Sequence, residues 1–206
     1  MNRLETFGSN WGGWRIDPSK IRDGSTVISV GIGPDCTFDA GLLVKFPNLK
    51  VVAVDPTPAA ANTIKNAIQN NPSFDRRLSL VPKALFSKVT NTIALGNAAV
   101  TIFADTGLDY ETISLEDLLK DNQNVCLLKM DIEGSEYSVL EELEELTVDQ
   151  FCVEWHHWLD ASNKTVEDTR ELIFKIESFG YYEIERKTNE SWRIIQESLF
   201  IRRDLL

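Results

Sequence analysis

Leu127-Leu128-Lys129-Met130-Asp131-Ile132-Glu133-Gly134-Ser135-Glu136-Tyr137-Ser138-Val139-Leu140-Glu141 decides how this chain is read. It begins as an apolar run, acquires two acids two residues apart, turns on a glycine and continues with amphipathic spacing. In a strand, side chains i and i+2 share a face, so Asp131 and Glu133 are expected to point the same way. Gly134 permits a sharp exit that a Cβ would hinder. Beyond it, Val139, Leu140, Leu143 and Leu146 recur at helical spacing, which predicts a helix with one buried stripe. An apolar strand that ends in acids and passes directly into a helix is where an open α/β sheet places its ligand, at the carboxyl end of the strand. The alternative is a solvated strand-to-helix corner without chemistry.

Two similar passages lie upstream. Thr26-Val27-Ile28-Ser29-Val30 is a β-branched strand that runs into Gly31-Ile32-Gly33-Pro34-Asp35-Cys36, with a helix expected from about Thr37 to Phe46. Glycines in such a turn let the backbone approach a nucleotide, and the helix N-terminus offers unpaired N–H groups. Cys36 stands where a dinucleotide fingerprint has its third glycine, which counts against NAD. The next strand, Val51-Val52-Ala53-Val54-Asp55, ends on an acid 22 residues after Gly33. An acid at this distance can accept both hydroxyls of a ribose; its other reading is a capping acid. Thr57 is the expected N-cap and Pro58 the first residue of a helix that Asn71-Pro72 stops.

Working outward again, Leu78–Val81 is a short third strand, and residues 90–103, with Gly96-Asn97, read as an inserted β-hairpin. Ser114–Asp117 and Thr165–Asp168 are capping boxes, the second opening a helix that ends at Gly180. Gln150–Glu154 is a fifth strand. It exits into Trp155-His156-His157-Trp158, which holds both histidines of the chain, and strand alternation puts Glu154 and His156 on one face. Residues 181–187 and 192–202 are expected to close the fold as an antiparallel pair. The first 25 residues suit neither strand nor helix. Gly8-Ser9-Asn10-Trp11-Gly12-Gly13-Trp14 reads either as a lid over a site or as an arm on the sheet edge.

At 206 residues, 1–206 is expected to form a single domain with a sizeable core, residues 1–25 being the arm or lid. A net charge of −11 argues against binding nucleic acid. No run is long and apolar enough for a membrane span, and no signal peptide is expected. Cys36, Cys126 and Cys152 are scattered and odd in number, which suggests a reduced, cytoplasmic protein without disulfides or zinc.

Val30–Gly33, Asp55–Pro58, Thr112–Leu119 and above all Leu128-Lys129-Met130-Asp131-Ile132-Glu133-Gly134-Ser135-Glu136 resemble the FkbM-type family of class I S-adenosylmethionine-dependent methyltransferases, over about residues 8–202. The resemblance implies an α/β, Rossmann-like three-layer sandwich, with a mostly parallel seven-stranded sheet of order 3-2-1-4-5-7-6. It also implies methyl transfer, most often to a hydroxyl of a sugar, glycan or other small metabolite. Carried onto this sequence, Gly31, Gly33 and Asp35 would lie at the cofactor, and Asp55 would hold its ribose. Pro56, Lys83 and Ala84 would flank the adenine, with Asp131 and Glu133 near the sulfonium.

A hydroxyl is a poor nucleophile until a base takes its proton. His156 is the first candidate, with Glu154 as its orienter; Asp131 acting directly and His157 are the alternatives. Three rival readings stay open. Asp131, Glu133, Glu154 and His156 could bind Mg²⁺ or Mn²⁺, although the spacing does not demand a metal. The chain could be a nicotinamide-dependent oxidoreductase, or a binding protein that keeps the nucleoside pocket without catalysis.

Overall fold

The computed structural model describes residues 4–87, 93–94, 109–159, 162–189 and 193–206. The β-branched and apolar runs form one sheet of seven strands: β1 (Thr26–Val30), β2 (Lys50–Val54), β3 (Leu78–Val81), β4 (Val125–Met130), β5 (Gln150–Glu154), β6 (Tyr181–Asn189) and β7 (Ile194–Arg202). Their order is 3-2-1-4-5-7-6, as expected. Strands β1 to β5 are parallel, and β7 runs antiparallel to both β5 and β6. The parallel strands must be covered on both faces, which explains why β1 and β4 are buried along their whole length.

Five helices provide that cover: α1 (Thr37–Lys45), α2 (Pro58–Asn70), α3 (Leu115–Asp121), α4 (Glu136–Glu142) and α5 (Val166–Ser178). The period-2 alternation of the strands splits the core in two. Ile28, Val30, Leu128 and Met130 pack with Leu118 of α3, Val139 of α4 and Leu172 of α5. Val27, Val51, Ala53 and Leu127 pack with Leu42 of α1 and Ile64 of α2. The caps are where the sequence placed them. Thr57 accepts from the Ala60 amide with Pro58 at the first helical position, and Thr165 and Asp168 form the reciprocal box on α5.

Two expectations are corrected. Helix α4 stops at Glu142 instead of continuing through Leu146; Leu143 already has extended backbone. Glu141, Glu142, Glu144 and Glu145 crowd the C-terminal end, where the helix dipole disfavours negative charge. The N-terminal segment is regular after all. Glu5–Phe7 pairs antiparallel with Trp14–Ile16, so the glycine-rich stretch is the turn of a hairpin. The inserted hairpin expected at 90–103 lies mostly outside the described residues; its Ile93–Ala94 pairs antiparallel with Asp109–Tyr110. None of the helices among the described residues is long and apolar enough to cross a membrane.

Candidate active site

The carboxyl ends of β1, β2, β4 and β5 open into one cleft of about 1030 Å³. Its first wall is the turn after β1. Gly31 and Gly33 both have positive φ, +77° and +54°. A Cβ on Gly31 would come within 1.7 Å of the Asp131 carbonyl oxygen, so only glycine allows the turns after β1 and β4 to touch. Asp55, at the end of β2, fixes the shape of this turn. Its Oδ2 accepts from the Ile32 and Gly33 amides at 2.8 and 2.9 Å, while its Oδ1 accepts from the Thr57 amide and hydroxyl at 2.8 and 2.6 Å. Asp35 accepts from Ser9 Oγ at 2.6 Å and from the Thr37 amide at 2.7 Å, joining the N-terminal hairpin to the start of α1.

The second wall is a charged cluster. Lys129 of β4 is buried, and its Nζ donates to the carbonyl oxygens of Val30, at 3.1 Å, and Gly31. It also lies 3.4 Å from Asp131 Oδ2 and 5.5 Å from the centre of the Trp14 ring. His156, 2% exposed, is held from behind by Glu136, whose Oε1 is 2.7 Å from Nδ1 and accepts from the His156 amide at 2.9 Å. The other ring nitrogen, Nε2, faces Glu133 at 3.5 Å and both Asp131 and Glu154 at 3.8 Å.

These contacts set the local electrostatics. Burial alone would lower the His156 pKa, but the hydrogen bond and charge of Glu136, with Glu154 and Glu133, raise it to about 9. Burial, then the charge of Asp131, pushes Glu154 up to about 7 against the pull of His156. Burial also raises Glu133, again opposed by His156.

The cleft thus gathers Gly31, Gly33, Asp35, Asp55, Pro56, Ala84, Asp131, Glu133, Glu154 and His156. Lys83 does not join them: its ammonium pairs with Glu111 at 3.1 Å, away from the lining. Glu154 is not the orienter of His156, because Glu136 occupies Nδ1. His157 faces elsewhere, with Nδ1 2.8 Å from Thr169 Oγ1. The acids also meet by a different route from strand alternation. Strand β4 ends at Met130, and Glu133 reaches the cluster from a turn with φ of +53°.

Two residues that complete the cluster carried no role in the sequence reading. Glu136 is fully buried on the first turn of α4, and its partner is remote in sequence. Lys129 left a signal: it is the one charged residue in an otherwise apolar buried strand. The N-terminal hairpin supplies a further wall through Asn10–Trp14, with Trp14 buried and Trp11 77% exposed at its tip.

Comparison with known proteins agrees with this architecture. The family model for the methyltransferase FkbM domain matches residues 11–182. The crystal structure of a methyltransferase FkbM from Methylobacillus flagellatus KT superposes with a TM-score of 0.61 at 18% identity, over 90% of this chain and 46% of that one. This chain therefore spans less than half the length of that protein. A putative rRNA methylase from Clostridium thermocellum gives a TM-score of 0.53 at 12% identity, over 88% of each chain. The fibrillarin pre-rRNA processing protein of Methanococcus jannaschii gives 0.52 at 10% identity, over 98% of this chain and 71% of that one. At such identities the likeness is one of fold. A sequence comparison with curated proteins finds no match.

Proposed function

The chain belongs to the FkbM methyltransferase family, and on that premise we propose that it transfers a methyl group from S-adenosylmethionine to a hydroxyl oxygen of a sugar, glycan or small metabolite. The observation that carries this reading is the single cleft in which the glycine turn and Asp55 at one end meet the acid and histidine cluster at the other. Its volume is at the upper end of the range of about 300–1,000 Å³ usual for small-molecule sites, which suits two substrates held together. The turn is shaped before any ligand arrives, and a Cβ on Gly33 would meet nothing within 4 Å, so a ligand can lie against that backbone.

When bound, S-adenosylmethionine supplies a methyl group on a sulfonium sulfur that leaves with the bonding pair as a neutral thioether. The protein's part is to align an acceptor oxygen behind that methyl and to receive the hydroxyl proton. Asp131 sits where the turns after β1 and β4 touch, so its charge favours a cation at that end of the cleft. The carboxylates of Asp131 and Glu154, 27% and 29% exposed, reach the cleft, whereas His156 is 2% exposed behind them. A hydroxyl in the cleft therefore meets a carboxylate first. In this reading one of these two carboxylates, Asp131 or Glu154, takes the single hydroxyl proton, and His156 is a positioning residue. Pro56 and Ala84 flank the base of the cofactor, and the net charge of −11 disfavours a nucleic-acid acceptor.

The test is titration calorimetry with S-adenosylmethionine and with NAD, followed by mass spectrometry of a panel of hydroxylated glycans and metabolites incubated with S-adenosylmethionine. Binding of S-adenosylmethionine and a mass gain on a hydroxyl are expected. Binding of NAD without S-adenosylmethionine overturns the reading.

A further inference from the structure

We propose that Asp131, Glu154 and His156 bind one divalent cation of the Mn²⁺ and Mg²⁺ class at the floor of the cleft. One ligand atom from each of the three lies within 4.8 Å of the other two. Their placement follows from the sheet, since Met130 and Val153 are register partners on the parallel strands β4 and β5. Asp131 and Glu154 follow these partners directly, and His156 is two residues further on.

A group of acids alone would not make a metal site. The second observation is the imidazole. His156 is almost fully enclosed, its Nε2 makes no hydrogen bond among the described residues, and that nitrogen aims into three carboxylates at 3.5 to 3.8 Å. Its Nδ1 is held by the buried Glu136, which also accepts from the Gly134 and His156 amides. A carboxylate on the far nitrogen is the usual way in which a metal-ligating histidine has its tautomer and ring plane fixed. An ion about 2.1 Å from each donor places neighbouring donors about 3 Å apart, so the two imidazole-to-carboxylate separations of 3.8 Å close by about 0.8 Å and the carboxylate pair, within 4.8 Å, by at most about 1.8 Å. Glu133, whose Oε2 is 3.5 Å from Nε2, faces the same nitrogen but lies outside the group of three. Oxygen donors with one imidazole favour Mn²⁺ over soft metals, which prefer thiolates.

This inference rests on the methyl-transfer reading only for the ion's use, which is to hold the acceptor oxygen beside Asp131. Its test is therefore direct binding. The full chain, stripped with chelator and dialysed, is titrated with MnCl₂, and free Mn²⁺ is followed by electron paramagnetic resonance. Binding of S-adenosylmethionine is measured in parallel by calorimetry.

Saturation at one ion per chain is expected. Asp131→Asn and Glu154→Gln should each weaken binding by at least about ten-fold, and Glu136→Gln by about 10–100-fold through the histidine. Glu167→Gln, an exposed acid on α5, should leave it unchanged. Because His156→Ala can disturb a buried network, the two surface-reaching carboxylate variants carry the decision. Absence of saturable Mn²⁺ and Mg²⁺ binding overturns the site, as does binding that survives both Asp131→Asn and Glu154→Gln. If S-adenosylmethionine still binds in that case, the methyltransferase reading stands without the ion.

Discussion

Asp55 makes four hydrogen bonds with two oxygens, which fills the acceptor capacity of a carboxylate. The acid expected from sequence to hold a ribose is thus already engaged as the brace of the glycine turn and of Thr57, the N-cap of α2. We expect Asp55→Ala to lower unfolding free energy by about 2–3 kcal/mol, in line with hydrogen bonds to a charged group, as well as weakening cofactor binding. Urea unfolding checks this, and a variant as stable as the parent would confine Asp55 to ligand contact. Asp39 offers a second prediction. Burial raises its carboxyl from 3.8 to about 6, with Lys129 opposing and Asp35 adding to the rise. A carboxyl with a raised folded pKa favours folding when protonated. Its contribution is complete at about pH 4 and is lost as the pH climbs through about 6, a change of about 3 kcal/mol. Asp39→Asn cannot ionise, so between pH 4 and pH 8 its stability should gain on the parent by about that amount. Parallel stability curves for the two proteins would show that Asp39 ionises without penalty.

The N-terminal hairpin is more firmly held than its glycines suggest. Gln150 of β5 accepts from the Asp17 amide at 2.9 Å and donates to the Asp17 carbonyl at 3.0 Å, and Ser9 bonds to Asp35 on the far side of the turn. At the tip of the hairpin Trp11 is 77% exposed. Trp14→Ala should cost about 3–5 kcal/mol, as for a buried aromatic, and Trp11→Ala within about 0.5 kcal/mol. Denaturant midpoints measure both, and equal costs would place Trp11 in contacts of its own. This element also shows what sequence could and could not tell. The sheet strands were legible because β-branched runs, caps and glycine stops all pointed one way. The hairpin was not, because its strands are only three residues long and it is held in place by the remote Asp35 and Gln150. Likewise Glu136 reads as an ordinary first-turn acid of α4 until the fold brings His156 to it. Lys83 looked like an adenine neighbour because sequence position gives no side-chain direction, and Glu111 decides that direction.

At the scale of the whole molecule, all three thiols are buried in one of the two cores, the one covered by α1 and α2: Cys36 just before α1, Cys126 on β4 beside Ser25, and Cys152 on β5. Burial pushes Cys36 up to about 11 and raises Cys126 and Cys152 as well, so thiolate is scarce as well as hidden. The folded protein should leave Ellman's reagent unreacted, while three thiols titrate in strong denaturant. Rapid labelling of the native state would reveal an opening that reaches the core.

The junction between the turns after β1 and β4 limits how such a molecule can change over time. The Gly31 backbone and the Asp131 carbonyl touch so closely that even one methyl group cannot come between them. Lys129 bolts the same junction by donating to Val30 and Gly31. The turns after β1 and β4 are consequently one packed junction, so substitutions at either are constrained together. Variation in what the cleft accepts falls instead to its separate walls: the Trp11 tip, Trp158 and the Gln196–Glu197 edge. A lineage, or a designer, can exchange those walls to recruit a new acceptor while inheriting the chemistry intact.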